Sequence, residues 1–211
     1  MLNELINDTL NPILKGLDPQ LIETLGGLTQ SITRIVEGQD GPIRQSFPVT
    51  FNNQSDVFKS GAYTALCPDS QKKSLAYWRF AGANFQPAPD KAPRLKSVRY
   101  GATFAYWANL PQFGHVPGHI PYGIVETIRG AMEGVKTLAA PNDKATATIK
   151  AAQVNFDNPV AVFGQHTFAD DQRLFMWPFG YFGILFDIVV TYDPNCLPTY
   201  QPTNPIKCTI I

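Results

Sequence analysis

Two of the chain's three histidines, His115 and His119, lie in the stretch FGHVPGHIPYG, with three residues between them. On a helix such a pair puts both imidazoles on one face, where they can hold a zinc ion. Here the spacer is Val116, Pro117 and Gly118, and Pro121 follows, so a helix is excluded and the spacing loses its geometric meaning. No glutamate stands between them to act as a base. The third histidine, His166, precedes Asp170 and Asp171 in GQHTFADDQ, a neighbourhood that fits general acid–base work. No nucleophile or oxyanion site accompanies it at a recognisable spacing, so a turn with solvated acids is the expected structure. The G-x-S-x-G elbow and both glycine-rich nucleotide-binding loops are missing. The expectation is therefore no catalytic residue, no cofactor and no metal ligand. A hydrolase could still use carboxylates brought together only by folding, as glycosidases do.

Composition narrows the class further. The chain has 211 residues, enough to bury a core without disulfides or metals. Seventeen basic and seventeen acidic side chains cancel, so no basic field favours nucleic acid. Charged residues are only 16% of the chain, while aromatics reach 12% and prolines number eighteen. That balance fits a surface covered by partners, and equally a β-rich fold with long loops. Cys67, Cys196 and Cys208 follow neither a disulfide framework nor a zinc pattern. Cys196 and Cys208 could pair, but free thiols are expected. The first residues, MLNELINDTLNPILKGL, lack the layout of a secretory signal, and no window is long and apolar enough for a spanning helix. The expectation is a soluble protein made in the cytoplasm.

The elements that would position any site follow from periodicity. Residues 2–38 read as helix, broken by new starts at Asn11-Pro12 and Asp18-Pro19. Leu21, Ile22, Leu25, Leu28, Ile32, Ile35 and Val36 recur at three and four residues, which predicts an amphipathic helix. Strands are expected at 46–51, 74–81, 98–108 and 145–156, a strand or turn at 160–168, and a helix at 124–138. The proline-rich stretch 84–96 reads as a loop or arm. This order predicts an α+β fold: a mostly antiparallel sheet packed against helices. It has an N-terminal helical segment (1–40), an α+β domain (41–193), which the resemblance described below implies to be ring-forming, and an extended C-terminal arm (194–211).

The stretch FGYFGILFDIVVTYDPN, residues 179–195, is the most apolar in the chain. Read as a strand, its Phe182, Ile184, Phe186, Ile188, Val190 and Tyr192 share one wholly apolar face. Tyr181, Leu185 and Asp187 lie on the opposite, mixed face, and Arg99 and Trp107 on the matching face of the 98–108 strand. A long strand with a half-apolar second face fits a sheet surface shared between subunits. The alternative is a central strand under a second layer of the same chain; the low charge content and the extended terminal segments favour the shared surface.

The order of elements resembles that of tail terminator proteins of long-tailed, lambda-type phages. The likeness rests on Phe47-Pro48-Val49, the strand leading to Leu110-Pro111, the 124–138 helix, the turn at Ala169-Asp170-Asp171, and the ending Val189-Val190-Thr191-Tyr192. It spans roughly 46–193. The resemblance implies a virion protein, made in the host cytoplasm and placed in the tail or neck. It would form a homo-oligomeric ring, six copies in that family, that caps tube polymerisation at the head–tail junction. Its partners would be the tube or sheath protein and a neck or connector protein, with no membrane and no sequence-specific nucleic acid. Segments 1–38, 84–96 and 194–211 are extra to that family. On this reading Arg99, Trp107, Tyr181, Leu185 and Asp187 form subunit contacts, and Ile206, Ile210 and Ile211 anchor the arm in a neighbour. The rival reading is a receptor- or carbohydrate-binding module of a tail fibre or baseplate. Its stacking platform would be Tyr77, Trp78, Tyr106, Trp107, Trp177 and Tyr181.

Overall fold

The computed structural model describes residues 2–17, 21–38, 41–51, 63–86, 94–114, 120–138, 145–164 and 166–194. His115, His119, Cys196, Cys208, Ile206, Ile210, Ile211 and nearly all of the predicted arm lie outside these residues. The fold mixes sheets and helices, as an α+β class requires.

Helix α1 (Leu2–Gly16) runs straight through Pro12, against the expected break. Ile6, Leu10 and Leu14 form a fully buried stripe across the proline, and packing of that stripe outweighs the one missing N–H. The predicted helix over 21–36 is instead two strands, β1 (Thr24–Leu28) and β2 (Gln30–Gly38). Gly26 and Gly27 are the physical reason. Gly26 packs against Leu66, and Gly27 sits at φ +62° where Asn7 and Asn11 of α1 approach it. Asn7 Oδ1 accepts from Leu28 N at 2.6 Å and from Asn11 Nδ2 at 3.0 Å, which ties α1 to β1.

β2 turns back into β3 (Gly41–Phe51), and β3 pairs with the short β4 (Tyr63–Ala65), giving a three-stranded sheet. The larger sheet has the order β1-β5-β6-β8-β7. It comprises β5 (Ser74–Gln86), β6 (Lys96–Asn109), β7 (Ala145–Asn155) and β8 (Phe179–Tyr192). β1 lies parallel to β5, and every other pairing in it is antiparallel. Because β1 belongs to this sheet and α1 to its core, residues 1–40 are not a separate helical segment. β5 and β6 also reach into both ends of the stretch read as a proline-rich arm.

Helix α2 (Tyr122–Glu133) stops at Gly134, short of the predicted 138. Thr137 bridges to Thr146 instead, and Leu138 N donates to Ala145 O. The region 160–168, read as strand or turn, instead begins with helix α3 (Pro159–Phe163). Asn158 caps it by accepting from Ala161 N at 3.0 Å, with Pro159 in the first turn.

The main core lies on one face of the large sheet, beneath α1 and α2. Phe182, Ile184, Phe186, Ile188 and Val190 are all fully buried there, with Val125, Ile128 and Met132 of α2 against them. Each such side chain contributes about 1.5–3 kcal/mol by leaving water. Rings interlock across strands: Tyr106 stacks on Phe182 at 4.8 Å, and Trp78 lies 4.9 Å from Phe104. Tyr106 and Ser74 both donate to Leu21 O, at 2.8 and 3.0 Å, fixing the chain as it enters β1.

Candidate assembly surface

The second face of the large sheet is roofed over only part of its length. The roof consists of α3 and two short 3-10 turns, Thr167–Asp170 and Gln172–Leu174. Beneath it lie Leu75, Tyr77, Ala105 and Trp107, packed with Phe163, Phe175, Phe179 and Tyr181. Trp107 is fully buried, its ring 5.1 Å from Phe179, and its Nε1 donates to Leu174 O at 2.7 Å. It therefore meets this chain's own roof, which corrects its expected role as a contact to a neighbour. Tyr181 is half-buried at the roof's edge, with its ring centroid 5.0 Å from Phe175.

Glycines let the roof sit flush on the strands. A Cβ at Gly183 would stand 2.8 Å from Val162, so only glycine admits α3 at this distance. Arg79 closes the roof's border by donating to Val162 O at 2.7 Å, where the last carbonyls of α3 favour a cation.

Beyond that border no described helix or turn covers the second face. Cross-strand register places Gly101 opposite Asp187, Thr103 opposite Leu185 and Arg99 opposite Val189. Lys150 and Thr148 of β7 flank Asp187 and Val189 on the other side. Arg99 donates from Nε and Nη2 to the two carboxylate oxygens of Asp187, both at 2.7 Å. The Asp187 hydrogen bonds are the main reason the Arg99 guanidinium holds its proton more tightly than usual. Ser97 and Thr191 hydroxyls meet at 3.1 Å further along. Leu185 is 38% exposed. The fold thus brings Arg99, Leu185 and Asp187 together on one surface that no other described residue roofs over.

A second exposed feature escaped the sequence reading. The far half of the β2–β3 hairpin projects from the body, and its Ile35 and Ile43 are 70% and 48% exposed. The helical spacing assigned to 21–36 concealed it. Arg34 lies over the Phe47 ring at 5.1 Å. The hairpin's base is pinned to the roof, with Thr167 Oγ1 accepting from Ser46 N at 2.7 Å.

His166 belongs to that junction. It is not beside solvated acids: its ring is buried, Nε2 lies 3.0 Å from Ser31 Oγ and Nδ1 lies 3.4 Å from the Tyr77 hydroxyl. Burial, with Arg79 nearby, pushes its pKa down to about 4, so it is neutral at neutral pH. Burial likewise pushes the Tyr77 phenol up. Ser31 and His166 resemble a nucleophile and base, but the far ring nitrogen faces a phenol rather than a carboxylate. The contact works as a clasp between hairpin and roof. Asp171, the nearby acid, pairs with Arg173 at 2.8 Å.

Four of the six aromatics read as a platform, Tyr77, Trp78, Tyr106 and Trp107, are fully buried, which corrects that expectation. Trp177 is 53% exposed. A groove of about 440 Å³ opens where β8 begins, lined by Tyr122, Phe156, Asp157, Phe175, Phe179 and Tyr181. Among the described residues no three His, Cys, Asp or Glu side chains converge as metal ligands. No helix among them is long and apolar enough to cross a membrane. Compared with known proteins, the chain matches no family model, no curated protein and no solved structure at a significant level.

Proposed function

We propose that this chain is a structural subunit of a phage or phage-like tail. It acts as a tail terminator or tail-completion ring protein at the head–tail junction and caps tube polymerisation. The observation that carries the assembly part is the partly roofed sheet. Part of its second face is closed by the chain's own aromatic layer, and the rest, with Arg99, Leu185 and Asp187 on it, has no such layer among the described residues. The hairpin, with exposed Ile35 on one face and Ile43 on the other, adds a projecting element with nothing of this chain covering it among the described residues. A projecting element and an unroofed face on one subunit are two different patches, the arrangement a cyclic ring requires. The tail assignment rests on the resemblance in element order over 46–193. The subunit's partners are other copies of itself in a ring, the tube or sheath protein below and a neck or connector protein above. The extended arm from 194 reaches onto a neighbouring copy. The activity is mechanical, with no catalytic step, and the protein resides in the virion.

Adding the purified chain to polymerising tube protein tests the reading. Tubes that stop at a defined length, with a ring at one end in electron micrographs, support it. Unaltered tube growth and no ring at either end contradict it. A second reading, a receptor- or carbohydrate-binding module, draws only on the groove lined by Tyr122, Phe156 and Tyr181. Binding of glycans with no ring formation would favour it.

A further inference from the structure

The β2–β3 hairpin has one blunted edge and one open edge. Pro48 O accepts from Leu66 N at 2.9 Å on the β4 side, and Ser46 N donates to Thr167 Oγ1 of the roof. Backbone direction alternates along an antiparallel pair, so Pro42, Arg44, Ser46 and Pro48 all turn their backbone groups away from β2. Pro42 has no N–H to offer there, and Ser46 and Pro48 are already engaged. Their partners across the ladder are Glu37, Ile35, Thr33 and Ser31, whose N–H and C=O groups therefore point away from β3. Among the described residues no backbone group of these four has a partner on that side. All four residues are exposed, Ile35 by 70%. No proline, bulge or covering element protects this edge, the devices that keep strand edges apart. We infer that β2 pairs edge to edge with β2 of a second copy of this chain, antiparallel, about a two-fold axis at Ile35. The contact is separate from the head-to-tail contacts of a ring and goes beyond that reading, joining two subunits or two rings.

The other described edges identify the occupant by elimination. On β7, Ala151 N donates to Glu133 Oε1 at 2.9 Å, and Lys136 and Leu138 occupy the backbone of Ala147 and Ala145. On β1, Asn7 of α1 takes the Leu28 N–H. β4 has three residues. β5 beyond Trp78 is kinked by a bulge, with Gly82 at φ +78°. Among the described strands, β2 is the long, straight edge left for a second copy to offer. Chemistry then selects the register. An axis at Arg34 sets two arginines directly opposite, which is destabilising. An axis at Thr33 draws Ser31, already bonded to His166 of the roof, into the pairing. An axis nearer the turn sets Ile35 against Glu37 and shortens the ladder. An axis at Ile35 sets the two isoleucines together, with Thr33 opposite Glu37 on either side. These three residue pairs each exchange two backbone hydrogen bonds.

The test is photo-crosslinking in the full chain. A benzophenone side chain replaces Glu37, and two differently tagged populations are mixed. Crosslinks between differently tagged chains, mapping to residues 31–35, are expected. Ile35→Pro removes an N–H that the hairpin itself does not use, and it should cut the yield about tenfold. Arg44→Pro is the matched control. It lies opposite Ile35 in the same hairpin but turns its N–H to the other edge, so the yield should hold. Circular dichroism confirms that both variants fold. Crosslinks between chains at any other segment overturn the inference, as does the absence of crosslinks at every concentration. Equal losses from Ile35→Pro and Arg44→Pro overturn it too, because the edge would then not be what matters. The mass of the crosslinking species separates this inference from the ring reading. A ring without crosslinks at 31–35 sinks the inference and leaves the ring standing. A two-subunit species that crosslinks there supports the inference while the ring reading fails.

Discussion

Arg99 on β6 holds Asp187 on β8 through two hydrogen bonds of 2.7 Å, one to each carboxylate oxygen. Two residues assigned from sequence to a neighbour's contact are thus paired within one chain, diagonally across two strands. The pair stays exposed, with side chains 55% and 29% accessible, and it marks the part of the sheet that the roof leaves open. The bidentate geometry holds the two charges together as a defined dipole on this surface.

Replacing Asp187 with Lys lines up three cations on this surface, the new one between Arg99 of β6 and Lys150 of β7. Exposed pairs contribute little to folding, so the thermal midpoint should stay close to that of the natural chain. Assembly should fall sharply, because like charges across an interface are strongly disfavoured. Sedimentation velocity reads the second effect and differential scanning calorimetry the first. Unchanged assembly would remove this face from the interface.

Trp107 should behave in the opposite way. Trp107→Ala empties a fully buried site under the roof, and its Nε1 bond to Leu174 O is lost. A loss of about 3–5 kcal/mol in urea unfolding is expected. Leu185→Ala, on the open half of the same face, should change unfolding by no more than about 0.5 kcal/mol. Equal effects at the two positions would show that the roof does not divide the face as described.

The contrast between these two positions shows how far the sequence could be read. The alternation of β8 was legible because its core face is uniformly apolar from Phe182 to Tyr192. The roof was not, because Phe163, Phe168 and Phe175 come from short turns with no period of their own. One signal did exist. Along β6 the second face passes from Arg99, Gly101 and Thr103 to Ala105 and Trp107, and the cover begins where the apolar residues do. The helix expected over 21–36 failed for a different reason. In the hairpin Ile35 and Ile43 are exposed, so no burial imposes a two-residue alternation, and a chance spacing of three and four prevailed.

Lowering the pH should loosen the clasp at His166. Its folded pKa, about 4, lies below the ordinary value of 6.5, so between these pH values the unfolded chain binds the proton more readily. The contribution is intact above about pH 6.5, falls as the pH drops and levels off below about pH 4. The loss should total roughly 1–3 kcal/mol. His166→Gln should flatten this part of a stability curve measured by urea unfolding at successive pH values. A curve identical to that of the natural chain would contradict the buried, neutral state.

The hairpin supplies a prediction that concerns assembly alone. Ile35→Asp and Ile43→Asp alter exposed positions, so unfolding should change by no more than about 0.5 kcal/mol each. The double variant should nonetheless assemble more weakly than the natural chain in sedimentation velocity. Normal assembly would leave the exposed isoleucines without a role in subunit contact.

The mass of the full chain in solution, by light scattering coupled to size exclusion, tests the central claim most directly. The subunit is 23.3 kDa, and the account predicts a discrete closed species of several subunits, six on the family resemblance, that does not grow with concentration. A mass of 23.3 kDa at every concentration, and again after mixing with tube protein, would contradict it.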